Sequence, residues 1–216
     1  MQQDSERTTS LDRTSAGKPD AVRERILETA SGLFYREGVR AVGVDLVVAA
    51  AGVAKTSLYR HFRTKDDLIA AFLKREDEDF WRTWAAVSEQ HRDDPSGELH
   101  AHLDWIGERV GRPLYRGCPQ LNVAAEFPQA DHPARLVATA HKLELRRRLF
   151  DIAQRMGVDR PEDLAGQLAV LINGAFVSTP ILSQAEARGL LQGAAQALVE
   201  ASGRPQHPVR DDTVSS

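Results

Sequence analysis

An all-α fold of about nine helices is predicted by three features of this sequence. Apolar residues recur three and four apart through most of the chain, which lines one face of a helix. Glycine, proline and N-capping residues fall where those stretches begin and end. No segment alternates apolar and polar residues as a half-buried strand would, and no internal repeat is present.

Taken in order, residues 1–18 are polar and aperiodic and are expected to be a flexible tail, as are residues 203–216. A first helix is expected over residues 21–37, with Asp20 as N-cap and Gly38 just past its end. Val22, Ile26, Ala30, Leu33 and Phe34 share its inner face. A short helix over 44–51 should turn Leu46, Val47 and Ala50 inward before Gly52 breaks it, and another short helix covers 55–62. Thr64 caps a long helix over 65–90, with Asp66 and Asp67 where carboxylates favour the helix dipole. Leu68, Phe72, Phe80, Trp84 and Val87 form its apolar stripe. Leu99, Leu103, Ile106 and Val110 mark a fifth helix after Pro95, ended by Gly111 and Pro113. The remaining helices are expected at 119–127, from Pro133 to about 156, at 161–178 and at 184–202. This order predicts a three-helix head, a linking fourth helix and an all-α body.

Within the head, AAAGVAKTSLYRHFRTKDDL (residues 49–68) reads as two short helices joined by a tight turn, a helix-turn-helix. Gly52 stands where the chain reverses, and a positive φ is expected there. Leu58 and Phe62 point inward, so Thr56, Tyr59, Arg60 and Arg63 turn outward, with Ser57 and His61 at the edges. A polar, basic and aromatic outer face suits a helix that enters the major groove of DNA.

The segment GVAKTSLYRHFRTKDDL resembles the signature of the tetracycline-repressor (TetR) family, Gly-Val-Ser-Lys-x-x-Leu-Tyr-x-His-Phe-x-x-Lys-x-x-Leu. GCPQLNVAAEFP (117–128) is similar to a segment of some members. The resemblance implies that Lys55, Thr56 and Ser57 reach bases or phosphates. It implies that Tyr59 and His61 bond phosphates, with Arg60 on the same face. Lys65, at a helix N-terminus, would pair with a further phosphate. Gly43 and Val44 stand where the family often carries a hydroxyl residue, so that phosphate contact is absent. The family pattern implies a helix-turn-helix DNA-binding domain over 19–65 and a ligand-binding and dimerisation domain over 66–202. The expected partners are double-stranded operator DNA, a second copy of the chain and a small-molecule effector.

Charge agrees with that division. Residues 18–65 hold nine Lys/Arg and five Asp/Glu, net +4, which leaves −7 for the rest of a chain whose total is −3. One cysteine, Cys118, permits no internal disulfide, and no apolar run suits a signal peptide or membrane span. A cytoplasmic protein with no membrane partner is expected. No metalloprotease, nucleotide-loop or nucleophile-elbow motif is found, so neither catalysis nor a cofactor or metal is expected. His100 and His102 face different sides of a helix. Glu98 and His102 read as a surface or pocket-edge pair, and Arg146, Arg147 and Arg148 as a solvated face.

In the body, Glu98, His102, Trp105 and Arg109 make an unusual polar and aromatic face opposite a leucine stripe. Trp81, Trp84, Asn122, Glu126, His141 and Phe176 are candidates to join them in a ligand pocket, with Cys118. Cys118 is expected to N-cap the sixth helix ahead of Pro119. There the helix dipole, with Arg112 and Arg116, would favour thiolate and an electrophile or oxidant sensor. The alternatives are a small residue chosen for fit and a DNA-binding regulator that takes no ligand. Leu164, Leu168 and Leu171 on the eighth helix, with Ala187, Leu191 and Leu198 on the ninth, are expected to form a two-fold dimer interface.

Overall fold

The computed structural model describes residues 17–178 and 181–203. The expected tails fall outside these residues, except that 17 and 18 already belong to the first helix and Gly203 is the C-cap of the last. The described residues form nine helices and no strand. These are α1 (Gly17–Glu37), α2 (Val44–Ala51), α3 (Lys55–His61), α4 (Lys65–Gln90) and α5 (Pro95–Val110), followed by α6 (Pro119–Glu126), α7 (Pro133–Arg155), α8 (Pro161–Val177) and α9 (Gln184–Ser202). The first helix starts one turn before Asp20, so Asp20 lies inside it and is not its cap.

Proline opens α5, α6, α7 and α8, where its missing N–H would have had no helical partner. Asp94 caps α5 by accepting from the Gly97 N–H. Ser183 and Glu186 close a reciprocal box at α9. No described helix is long and apolar enough to cross a membrane.

The chain divides into two compact units at Phe72 and Leu73, inside α4. The first unit packs α1, α2, α3 and the start of α4 around Ile26, Ala30, Phe34, Val47, Leu58, Leu68 and Phe72. The Phe34 and Phe72 rings meet at 5.9 Å. On α2 the buried residues are Val47 and Ala51. Leu46 and Ala50, expected inside, are exposed, because a helix this short buries only one narrow stripe.

In the second unit, α5 packs on α9, α7 on α8, and α8 on α9. The α5–α9 contact explains two glycines. A Cβ on Gly107 would lie 2.8 Å from Arg188 Cα, and one on Gly111 would lie 2.1 Å from Gln184 Cβ. Only glycine lets the two backbones meet so closely. Trp84, Leu103, Ile106, Leu145, Leu149, Leu168, Ile172 and Phe176 fill the core between these helices.

Candidate functional site

The turn between α2 and α3 is made by Gly52 at φ 62° and ψ 42°, the left-handed conformation expected of it. Its N–H donates to the Ala49 carbonyl, and the Val53 N–H donates to that of Val48. α3 is held from behind by Leu58, fully buried, and by Phe62 just past its last turn. The Arg23 guanidinium lies 5.1 Å from the centre of the Phe62 ring. With that stripe inward, Lys55, Thr56, Tyr59, Arg60 and Arg63 are exposed, and Ser57 and His61 sit half-buried at the margins.

Tyr59 keeps 43% of its surface exposed. Lys65 is half-buried at the start of α4. Thr64 Oγ1 accepts from the Asp67 N–H there, and the Asp67 carboxylate accepts from the Thr64 N–H. Lys55 forms an ion pair with Asp45 at 2.7 Å, which sequence reasoning missed because ten residues separate them. The Asp45 carboxylate holds the Lys55 ammonium pKa above its ordinary value. Both partners stand in solvent, so a phosphate can compete for the lysine. Gly43 caps α2 through its backbone conformation alone.

In the second unit, Arg109, Cys118, His141 and Phe176 line one cavity, together with Glu76, Phe80, Tyr115 and Gln120. Its unfilled space is about 10 Å³, about one water. Arg109 faces Glu76 at 3.8 Å, and desolvation raises the Glu76 pKa. His141 Nδ1 bonds the Asp77 carboxylate, which also accepts from Trp81 Nε1 at 2.8 Å. Cys118 is the N-cap of α6, as expected, and is buried. Lys142 Nζ donates to its Sγ at 3.4 Å.

A family model for bacterial regulatory proteins of the tetR family matches residues 26–72, ending where the first unit ends. Over nearly the whole chain, a solved putative TetR-type regulator from Streptomyces avermitilis is 34% identical with a TM-score of 0.71, covering 84% of this chain and 97% of its own. The chain belongs to the TetR family. A TetR-family regulator from Streptomyces coelicolor is 27% identical with a TM-score of 0.81, covering 86% of this chain and 97% of its own. The repressor KstR2 of Mycobacterium tuberculosis is 34% identical over 59 residues, 27% of this chain. The chain spans 30% of the length of KstR2 and 43% of that of a Staphylococcus aureus HTH-type regulator.

Other TetR pocket candidates are not on that cavity. Trp81 and Trp105, both half-buried, each pack 4.9 Å from the Phe80 ring. Trp84 stacks on His102 at 3.7 Å in the core. Asn122 lines a surface recess beside Phe176, and Glu126 is half-buried on α6. Glu98 and His102 are not a surface pair, since both are almost fully buried. The Arg155 guanidinium bonds the Glu98 carboxylate, and Ser88 Oγ lies 3.3 Å from His102 Nε2. Arg148 also leaves the expected solvated face and lies 4.4 Å from the Trp81 ring centre, bonded to Glu144.

The dimer-interface expectation needs a similar correction. Leu164, Leu168, Ala187 and Leu191 are buried in the core of the second unit, and Leu171 and Leu198 are half-buried. The large exposed apolar residues of α8 and α9 are Val170, Val177 and Leu190. Around them, a Cβ added at Gly166, Gly174, Gly189 or Gly193 would meet nothing.

Proposed function

We propose that this TetR-family transcriptional regulator is a homodimeric repressor that binds a palindromic operator through α3 and is released by a small effector. The observation that carries the reading is the division of α3. Leu58 and Phe62 anchor it, which leaves Thr56, Tyr59 and Arg60 exposed together on a rigid helix. A two-fold dimer would present two such helices to half-sites ~34–36 Å apart. The apolar residues Val170, Val177 and Leu190, beside open glycine positions on α8 and α9, support pairing with a second copy.

The test is binding of the purified protein to operator fragments selected from genomic DNA. Lys65→Ala should weaken binding to every sequence and reduce the slope of log K against log salt by about 1. Substitutions of Thr56 or Ser57 should change base preference instead. An unchanged affinity and salt slope in Lys65→Ala would show that this docking is wrong. Release requires that the effector prefer the dimer shape that fits DNA poorly, and operator must weaken effector binding by the same factor.

The Lys142 ammonium beside Cys118 favours a second reading, in which an electrophile modifies the thiol. Native protein should then lose operator on treatment with N-ethylmaleimide, while Cys118→Ser should hold it. Equal responses would make Cys118 a packing residue only.

A further inference from the structure

We infer that the body cavity takes a neutral, hydroxyl-bearing aromatic compound, whose O–H groups donate to two buried acceptors, Gln120 Oε1 and His141 Nε2. This assigns a chemistry to the effector cavity and so rests on the effector reading above.

Gln120 and His141 are 2% and 3% exposed, and both line the same cavity. Each is tied down at its other end. Gln120 Nε2 donates to the Leu73 carbonyl at 3.0 Å, which leaves the amide oxygen as the untethered atom. His141 Nδ1 faces the Asp77 carboxylate, which leaves Nε2. Neither Gln120 Oε1 nor His141 Nε2 has a hydrogen-bond partner within the protein. Buried polar atoms are rarely left without a partner, so a donor is called for at both. Burial, with Lys142 and Arg109 close by, pushes the His141 pKa down to about 4. The ring is therefore neutral at physiological pH, and Nε2 carries a lone pair. Two orphaned acceptors ask for a ligand that donates.

The two charged residues that line the cavity, Glu76 and Arg109, are of opposite sign and nearly cancel. Arg109 and Glu76 already face each other, so neither demands a counter-ion from the ligand. Phe80, Tyr115 and Phe176 supply ring faces and edges for an aromatic guest.

A ring needs more than the present space. Tyr115 and Phe176 also line the surface recess formed with Arg112, Arg116 and Val177, so they separate the two spaces. Tyr115 lies on the α5–α6 connection, directly after Leu114 in the left-handed conformation at φ 65°. Outward movement of Tyr115 would join recess and cavity.

The experiment titrates the full chain with phenol, anisole and benzoate, read by calorimetry. These share a ring but differ in that phenol donates, anisole cannot, and benzoate is an anion. Phenol should bind at least tenfold more tightly than either. In Gln120→Met the phenol-to-anisole ratio should fall to threefold or less with anisole affinity unchanged, and His141→Phe should act likewise. Binding of anisole or benzoate as tight as phenol, no binding of any of the three, or a ratio retained in both variants would overturn the inference. Operator release is read separately by fluorescence anisotropy. Phenol that binds with the expected discrimination yet leaves operator bound supports this chemistry and counts against effector release.

Discussion

Leu190→Glu should convert the protein to a monomer and lower its operator affinity by about 10²–10⁴-fold, through loss of simultaneous binding at two half-sites. Leu190 is 59% exposed on α9, next to Gly189 and close in sequence to Gly193, both of which open onto free space. A carboxylate there is harmless to the isolated subunit but would be desolvated in the seam between two copies. Val170→Glu on α8 should act alike, since Val170 is 74% exposed. Leu191→Glu is the contrasting variant. Its position is 2% exposed inside the subunit, so a charge there should unfold the body as well as separate the dimer. Sedimentation and far-ultraviolet circular dichroism distinguish the cases. A Leu190→Glu protein that remains dimeric at micromolar concentration would rule out this face.

The contrast between Leu190 and Leu191 marks what the sequence could tell. α8 and α9 carry apolar residues on two faces, and neighbouring leucines lie about 100° apart around a helix. Periodicity identifies both stripes but not which one the chain buries in its own core and which it leaves exposed. The head was more legible. Gly52 was expected at positive φ and lies at 62°, and Gly38, expected just past the first helix, follows its last residue. Leu58 and Phe62 then fixed the outward face of α3 without any tertiary information. On α2, where Leu46 and Val47 compete within two turns, the pattern was too short to choose between them.

The body cavity shows the same limit in a different form. His141 and Phe176 were named as candidates for a ligand pocket, but nothing in the spacing singled out Glu76 or Gln120. Gln120 is buried only because α6 begins with Cys118 and Pro119 and turns its first residues inward. The polar face of α5 was visible as Glu98, His102, Trp105 and Arg109, yet it serves two environments. Arg109 reaches the cavity, whereas Glu98 and His102 form a buried network with Ser88 and Arg155. Spacing gives the face of a helix, and only the neighbouring helices decide what that face meets.

Stability should fall by about 4 kcal/mol between pH 7.5 and pH 5.0, shared about equally by His102 and His141. Burial pushes the pKa of each from the ordinary 6.5 down to about 4. For His102 the opposing pull of Glu98 is outweighed, and Arg148 and His91 add to the depression. For His141 the cations Lys142 and Arg109 outweigh part of the attraction of Asp77. The unfolded chain therefore binds more protons than the folded chain between pH 6.5 and 4, and stability rises with pH across that window. The contribution is intact above pH 6.5, declines as pH falls, and is fully lost below about 4. At pH 5 each histidine accounts for about 2 kcal/mol of the loss. The carboxylates held low by their partners, Glu98, Asp104 and Glu144, act on the far side of 4.5, whereas Glu76, which burial holds high, gains stability as pH falls and takes a little off the histidines' slope above 4.5. Urea unfolding at a series of pH values measures the slope directly. His102→Phe keeps a ring against Trp84 and removes the titrating group, so it should remove about half of the slope. A stability that is flat from pH 7.5 to 5.0, or a slope that survives in both His102→Phe and His141→Phe, would show that neither imidazole is held neutral by the fold.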